Sequence, residues 1–560
     1  MGKRRFTVTA ALPYANGLLH VGHVAGCYLP ADIFVRYLRA RGDEVVFICG
    51  SDDYGVPTAL VARKEGKPPR DVADHYRAEQ KRDFDGLGIS FDIYSGTSTT
   101  QIHTEVSQHF FRTLHGGGHL EKRVTEQLYD AQAGMFLPDR YVEGVCHHCG
   151  TGGARGDQCE ACGKTINPAQ LVEPRSVITG SRPVLKETVH WFFRLPAFED
   201  RLRTWIGGHS EWRPMVRNFS LGLLDQGLPV RAITRDLTWG IPMPLPDDPD
   251  ARGKVLYVWF DAPIGYVSFT EQWCRQRGEA PGAYERWWKD PDCKVVHFIG
   301  EDNVVFHALI WPAMLMGEGT FQLPHNIPAN CFLNIQFPGR EEEKISKSRG
   351  TAVWIKEYLQ GYDPDPLRYH LTAIAPEQQR TAFKFGDLIR RNNEELVAAL
   401  GNFVHRNTTF AHRYFEGRIP SRGQTTDQDR AQLAMVAGLA DRVGALIEQY
   451  RFKDALEELM AAAHQSNRYF DYRQPWALRK TDREACGTVI NVCLNTVKAL
   501  GVVMAPFLPF AAAKTAAMLS AAPAEAAWSA AAQPLPEGRA LGEPVILFHK
   551  IEEPADEGSA

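Results

Sequence analysis

The stretch that decides the fold is residues 10–26, AALPYANGLLHVGHVAG. Just ahead of it, Phe6–Ala10 alternates and is rich in β-branched residues, which predicts a strand. Pro13-Tyr14-Ala15-Asn16-Gly17 is a turn by composition. His20 and His23 then stand three apart where a helix begins, a spacing that puts both on one face. The free N–H groups of a helix's first turn, at the positive end of its dipole, attract phosphate. Strand, glycine-containing turn and His-x-Gly-His together point to a nucleotide site at the carboxyl end of a parallel strand. A capped helix with two surface histidines accounts for the same residues, so the neighbouring sequence must decide.

It extends the first reading. Apolar spacing from Val21 to Arg41 (Ile33, Phe34, Tyr37, Leu38) is helical and stops at Gly42. Pro30 inside it predicts a kink or the first turn of a second helix. Glu44–Cys49, EVVFIC, is apolar as a buried parallel strand is, and ends in Gly50-Ser51-Asp52-Asp53-Tyr54-Gly55. Strand, helix and strand with glycines after both strands predict a doubly wound α/β start. Asp52, at a strand's carboxyl end, is placed either to bind a substrate amine or to cap the next turn. Residues 56–115 are mostly helical in pattern.

After Gly116-Gly117-Gly118 the texture changes to short β-like pieces holding Cys146-His147-His148-Cys149 and Cys159-Glu160-Ala161-Cys162. In this C-x2-C-x9-C-x2-C pattern two tight turns each offer a pair of thiolates, and four sulfurs complete a tetrahedron around zinc. Four protein ligands leave no open position, so the expected Zn2+, one per chain, is a structural clip. His147 or His148 is an alternative to one cysteine. The block reads as an insertion between two halves of a nucleotide fold. The second half is expected to return with an apolar strand, Val255–Phe260, leading into Asp261-Ala262-Pro263-Ile264-Gly265-Tyr266. A strand at Val295–Ile299 and a helix from about Val304 follow, the helix carrying Phe306, His307, Ile310 and Trp311. Trp259, Tyr266, Phe306 and Trp311 suit a core, but their placement after strand ends and beside a helix start favours a pocket.

Pro338–Glu343 is a polar turn before Lys344-Ile345-Ser346-Lys347-Ser348-Arg349-Gly350. Two lysines three apart, small hydroxyl residues and a glycine suit a mobile loop that brings positive charge to a transferring phosphate; a solvated basic loop is the plainer reading. Beyond residue 386, apolar residues recur at i, i+3 and i+4 to about 520, as in Leu388–His412, Asp427–Tyr450 and Thr488–Met504, which predicts a helix bundle. The remainder is Ala/Pro-rich, with one strand-like piece, Pro544–Lys550.

Composition sets the bounds. A chain of 560 residues should hold about three domains, because a single core rarely exceeds ~250–300 residues. The net charge is −4, so no global basic field announces nucleic acid and any such binding must rest on local patches. No run of ~18 apolar residues predicts a membrane span, and the start, MGKRRFTVTAALPY, lacks the apolar core of a signal peptide. Eleven cysteines, seven of them scattered outside the cluster, fit a reducing cytoplasm.

Pro13–His23 together with Lys344–Ser348 resembles the paired signatures of class I aminoacyl-tRNA synthetases, the "HIGH" element as His20-Val21-Gly22-His23 and the "KMSKS" element as Lys344-Ile345-Ser346-Lys347-Ser348. Within that class the chain is most similar to the methionyl-tRNA synthetase family. The shared residues are Ala11–Gly17, Tyr257–Tyr266, the four-cysteine knuckle and Phe306–Ala313, and the likeness covers about residues 4–515. Ile345 replaces the usual Met, and Asn303 stands where some members have Ile. There is no room for the long hydrolytic inserts of the valine, isoleucine and leucine enzymes.

The resemblance implies a Rossmann-like doubly wound parallel sheet in two halves, 1–116 and 231–330, around a zinc-knuckle insertion, 117–230. A loop and stem-contact region would follow at 331–385, a helical anticodon-binding domain at 386–520, and a tail packing back at 521–560. It implies ATP-dependent activation of methionine to methionyl-adenylate and transfer to initiator and elongator tRNA(Met). By resemblance, His20, Gly22, His23, Lys344, Ser346, Lys347 and Ser348 bind ATP, with Mg2+ accompanying it, and His20, His23, Lys344 and Lys347 are catalytic. Leu12, Tyr14, Trp259, Ala262, Pro263, Tyr266 and His307 line the methionine pocket, and Asp52 holds the amino group. Cys146, Cys149, Cys159 and Cys162 hold zinc. Asn402 and Arg406, four apart on a helix, and Trp476, after Pro475, meet the anticodon. A cytoplasmic monomer is expected, since no appended dimerising domain follows the bundle. Two rivals are a cysteine-type synthetase, which would read a thiol with catalytic zinc, and a non-catalytic tRNA-binding relative, against which the intact His20, His23, Lys344 and Lys347 speak.

Overall fold

The computed structural model describes residues 3–552 apart from 139, 140, 160, 163, 338 and 346–349. At its centre is a five-stranded, all-parallel sheet of β1 (Arg5–Ala10), β2 (Glu44–Ser51), β3 (Ile93–Gly96), β4 (Cys293–Gly300) and β5 (Ala329–Asn330). The spatial order is β5-β4-β1-β2-β3. The chain builds outward from β1 in one direction, then returns through the insertion and builds in the other. The order therefore reverses between β1 and β4, and ligands in such sheets bind beyond the carboxyl ends of the strands at that point.

The expected strands at the start of the chain appear, and β2 runs two residues past Cys49. The stretch read as mostly helical contains α2 (Val56–Glu65), α3 (Pro69–Gly86) and α4 (Gln101–Gly116), all after α1 (Leu29–Arg41), but also β3. Four residues between helices are too few to show an alternation. One expectation fails outright. Val255–Phe260 is not a strand of the parallel sheet: only Val255–Leu256 is extended, antiparallel to Thr234–Arg235, and Val258–Asp261 is a helical turn. A short apolar run is compatible with either state, and here the chain turns to enter α5 (Ile264–Gln276).

The insertion is antiparallel. Leu120–Asp130 pairs along its length with Val184–Phe193, flanked by Met135–Phe136 and Arg231–Ala232. Past β5, a three-stranded ribbon of Leu333–Ile335, Glu343–Lys344 and Thr381–Phe383 brackets α6 (Pro364–Ala373) in the chain and leads to the bundle. The bundle includes α7 (Asn402–Tyr414), α8 (Phe452–Arg473), α9 (Pro475–Thr481) and α10 (Arg483–Met504). Among the described residues α10 alone is long and apolar enough to cross a membrane, but 94% of its most apolar window is buried, as befits the bundle's central helix. Pro544–Lys550 is not a strand; it is irregular and anchored through buried Leu547 and Phe548, and the His549 carbonyl accepts from Asn392 Nδ2 at 2.8 Å.

A fully buried cation ties sheet to bundle. Arg368 on α6 is fully buried. It donates to Asp32 Oδ2 on α1 at 2.8 Å, to the Leu87 carbonyl at 3.1 Å, and to the Pro506 and Phe507 carbonyls at 2.9 and 2.8 Å. Removing one partner of a buried ion pair costs ~3–5 kcal/mol because the other charge is stranded. Arg368→Met is therefore expected to lower the thermal unfolding midpoint by several degrees; an unchanged midpoint would remove Arg368 from the fold's support.

Candidate active site

The turn after β1 is held by a residue the sequence does not advertise. Gln80 on α3 donates Nε2 to the Tyr14 and Gly17 carbonyls, each at 3.0 Å, and its Oε1 accepts from Tyr94 at 2.8 Å. Leu19–Val21 then lies against Val353–Ile355. Val21 N donates to the Val353 carbonyl and Ile355 N to the Leu19 carbonyl, both at 3.1 Å, with His20 paired opposite Trp354. The His20 backbone N–H donates to His23 Nδ1 at 3.1 Å, and the two imidazoles stack with centroids 3.7 Å apart.

This clasp brings the two signatures together. A Cβ at Gly22 would come within 3.1 Å of Ile345 Cδ1 and of His20 ring atoms, so the absence of a side chain lets the buried Ile345 lie over the His-x-Gly-His turn. Lys344 is exposed beside it, its Nζ 4.6 Å from the Phe332 ring. Ser346, Lys347 and Ser348 lie outside the described residues. The expected effect of Pro30 takes a particular form. Val24–Tyr28 is a π-turn, and Pro30 sits in the first turn of the α-helix that follows. The Ala25 carbonyl in that turn accepts from Asn330 Nδ2 at 2.9 Å. Such π-turns recur at functional sites, and a second one, Phe306–Ile310, carries His307.

Two adjacent aspartates at the end of β2 differ sharply. Asp53 is saturated: it accepts from Ser51 Oγ (2.6 Å), Ser98 N (3.0 Å), Ser98 Oγ (2.8 Å) and Arg77 Nη1 (3.0 Å). The Asp52 backbone is pinned to Pro13 and Ala15, but its buried Oδ1 accepts no hydrogen bond among the described residues. Burial, with Asp261 and Asp53 close by, pushes its carboxyl well above the usual carboxylate range. A buried carboxylate in this condition is completed by a cation.

Beside it is an aromatic pocket. Trp259 Nε1 donates to Tyr14 Oη at 2.6 Å, and its ring meets Phe306 edge to face at 4.7 Å. Leu12 packs against the bare α-carbon of Gly265, where a Cβ would meet it at 3.2 Å. His307 Nδ1 faces the Asn303 carbonyl at 3.0 Å and must carry the proton, so Nε2, 2.9 Å from Tyr266 Oη, accepts from the phenol. Burial holds His307 neutral, its pKa lowered to about 4. The helical turn at Val258–Asp261 presents Trp259 on one side and places Ala262 and Pro263 next in the chain. Trp311 is core instead, packed on Phe110 and Trp288.

Asp261 and His103 were not anticipated. Both are fully buried, with Asp261 Oδ2 3.2 Å from His103 Nε2 and His103 Nδ1 2.9 Å from Ser268 Oγ. His103 comes from α4 and Asp261 from the turn before α5, and nothing in either local pattern links them.

In the insertion the four cysteine sulfurs lie within 4.8 Å of one another, with Cys146–Cys162 at 4.0 Å and Cys149–Cys159 at 3.7 Å. A tetrahedron of sulfurs ~2.3 Å from zinc has edges of about 3.8 Å, so the donor set fits that ion. The metal-ligating group among the described residues consists of these four cysteines and does not include His147 or His148. In the bundle, Arg406 lies 3.9 Å over the Phe470 ring and pairs with Asp471 at 3.1 Å, while Trp476, 44% exposed, stands 5.6 Å from Phe470. Asn402 is exposed on the same helix as Arg406.

A parallel sheet with a His-x-Gly-His turn at its reversal point, clasped to a lysine-bearing second signature, is the architecture of class I aminoacyl-tRNA synthetases. Residues 6–408 match the family of class I tRNA synthetases (M), and residues 419–559 match the anticodon binding domain of methionyl tRNA ligase. The methionine–tRNA ligase of Parabacteroides distasonis is 47% identical over 553 residues, covering 98% of this chain and 79% of that protein. That of Thermococcus kodakarensis is 46% identical over 558 residues, covering 98% and 74%. The Mycobacterium tuberculosis methionyl-tRNA synthetase in complex with methionyl-adenylate superposes with a TM-score of 0.80 at 28% identity, over 97% of this chain and 99% of that one. The chain belongs to the methionyl-tRNA synthetase family, the class I methionine–tRNA ligases.

Burial keeps His103, His297 and His307 neutral, with pKa values lowered to about 3 for His103 and about 4 for His307. In the unfolded chain each titrates near ~6.5, so below that pH the unfolded state binds more protons and folding weakens as pH falls. Thermal unfolding midpoints should hold steady above pH ~6.5 and decline from there towards pH 4.5; a midpoint that rises on acidification would contradict the assignment.

Proposed function

We propose that this site activates methionine as follows. ATP lies with its phosphates against His20, Gly22 and His23, where Gly22 lets the nucleotide approach the backbone. Mg2+ enters as part of the nucleotide substrate. Methionine places its ammonium on Asp52 and its thioether among Leu12, Tyr14, Trp259, Ala262, Pro263, Tyr266 and His307. A carboxylate oxygen of methionine attacks the α-phosphorus, the bond to the bridging oxygen breaks, and pyrophosphate leaves with the electron pair. Lys344 and Lys347, with Ser346 and Ser348, close over the departing charge, and His20 and His23 donate hydrogen bonds to the phosphates. Phosphoryl transfer needs positioning and charge neutralisation rather than covalent help. The terminal ribose 2′-hydroxyl of tRNA then attacks the methionyl carbonyl carbon, and AMP leaves.

The observation that carries this reading is the buried Asp52 carboxyl, whose Oδ1 has no hydrogen-bond partner among the described residues, beside an aromatic pocket. A thioether is soft and polarisable and packs well on aromatic faces. Such a pocket separates one methylene by only ~1–3 kcal/mol, so norleucine-like analogues should also be activated. Zn2+ held by Cys146, Cys149, Cys159 and Cys162 would clip the insertion and leave no coordination position for chemistry. Arg406, Asn402 and Trp476 offer a cation, an amide and an exposed ring for an unpaired anticodon of initiator and elongator tRNA(Met). A cytoplasmic monomer is the proposed state, and eleven cysteines with no disulfide among them fit a reducing setting.

Purified protein is expected to exchange pyrophosphate into ATP with methionine; exchange with cysteine or leucine but not methionine would overturn the specificity. Trp476→Ala should lower charging of tRNA(Met) by the ~1–3 kcal/mol of one stacked base and leave methionine-dependent exchange near normal. Equal loss in both assays would make Trp476 a packing residue. Metal analysis should find about one zinc per chain, and stoichiometric zinc in a quadruple Cys→Ser variant would refute the ligand set.

A further inference from the structure

Asp261 stands between Trp259 and Ala262-Pro263, on the helical turn that borders the aromatic pocket. It has no part so far in holding ATP or the methionine side chain. It is fully buried, its Oδ1 has no hydrogen-bond partner among the described residues, and its Oδ2 faces His103 Nε2 at 3.2 Å. An open polar atom at such depth is costly to keep unless something arrives to use it.

The hydrogen positions around Asp261 follow from its partners. On α5 the Ser268 hydroxyl donates to the Gly265 carbonyl at 3.1 Å, so Ser268 Oγ has lone pairs to offer His103 Nδ1, 2.9 Å away. His103 therefore carries its hydrogen on Nδ1 and presents a bare Nε2. A contact of 3.2 Å between that nitrogen and Asp261 Oδ2 needs a hydrogen, and Asp261 supplies it as a carboxylic acid. Burial acts in the same direction on both groups. It lowers His103 to about 3 and raises Asp261 well above the usual carboxylate range, with Asp53 adding to the rise. Asp261 Oδ1 is then the carbonyl oxygen of a neutral acid.

The neighbouring charges give the neutral form a use. Of the two carboxyls that press on Asp52, Asp261 acts more strongly than Asp53, its own chain neighbour, so Asp52 and Asp261 share one buried space. Two like charges there would repel, and one carboxyl of such a pair holds its proton. Asp53 is paired with Arg77 at 3.0 Å, which leaves Asp52 and Asp261 each with an open Oδ1. An ammonium group has one charge and three N–H donors. The Asp52 carboxylate balances the charge. A second N–H needs an acceptor that adds no further charge, and the carbonyl oxygen of a protonated Asp261 is one.

We propose that Asp261, held as a neutral acid by His103, is a second acceptor for the methionine ammonium beside the Asp52 carboxylate. The proposal rests on Asp52 being the amino-group partner. His103 is a positioning residue: it takes the Asp261 hydrogen and so leaves Oδ1 for the substrate. Amino-group recognition then draws on β2, α4 and the turn before α5.

The test measures calorimetric affinities of the full chain for a non-hydrolysable methionyl-adenylate analogue and for the same analogue without its amino group. Asp261→Leu should bind the amino form about ten- to a hundredfold more weakly than wild type, the worth of one hydrogen bond to a charged group, and the amino-free form about as well. Asp261→Asn keeps a carbonyl oxygen and a donor for His103 Nε2, so it should retain the preference for the amino form. At neutral pH the infrared spectrum of wild-type protein should contain a carboxylic-acid carbonyl band that Asp261→Asn abolishes. A loss in Asp261→Asn as large as in Asp261→Leu, an unchanged preference or an equal loss for both analogues in Asp261→Leu, or an infrared spectrum unaltered by Asp261→Asn would overturn the proposal. Absence of any amino preference in wild-type protein would instead defeat the reading of Asp52 on which it rests.

Discussion

Two backbone hydrogen bonds, Val21 N to Val353 O and Ile355 N to Leu19 O, clasp the ends of the catalytic region together. The rest of the site depends on them. They lay Ile345 over Gly22, fix the stacked pair His20 and His23 at the end of β1, and do so where the strand order reverses. A side chain at position 22 would press against both neighbours at 3.1 Å, so the clasp and the glycine require each other. The clasp also decides between the two readings open to the isolated His-x-Gly-His: these histidines face a second signature across the sheet edge.

Around this frame the charges are arranged by contrast. Asp53 accepts from four donors and serves structure, while Asp52, one residue on the N-terminal side, is buried with its Oδ1 unpartnered among the described residues. A buried charge without a partner is costly, and in the proposed role the methionine ammonium supplies that partner. The pocket beside it is kept free of competing charge, because burial lowers His307 and the Asn303 carbonyl fixes its proton on Nδ1. Tyr266 thereby donates to His307 and is oriented by it. On the proposed reading, amino-group recognition is electrostatic, and side-chain recognition is by shape and soft contact and so is permissive.

What the sequence made legible was periodic or locally spaced. EVVFIC could only be a buried strand in its setting, the paired C-x2-C turns announced four sulfurs, and the helical runs after 386 showed their period. What it hid was long-range or ambiguous. Val255–Phe260 is apolar throughout, yet two residues are strand and the rest turn, because the run must bend into α5. Pro544–Lys550 alternates like a strand but has no partner edge and is held by Leu547 and Phe548 instead. Gln80, Asp261 and His103 act across elements distant in the chain, so no local pattern marks them.

The sharpest measurement concerns the open carboxylate. Calorimetric affinities would be compared for a non-hydrolysable methionyl-adenylate analogue and its counterpart lacking the amino group, on wild-type protein and on Asp52→Asn. Breaking a buried charge pair costs ~3–5 kcal/mol, so wild type should prefer the amino form by roughly 10²- to 10⁴-fold, and Asp52→Asn should lose most of that preference while binding the amino-free analogue about as well. Equal binding of the two analogues by wild type, or an unchanged preference in Asp52→Asn, would contradict the role of Asp52 at the centre of the site.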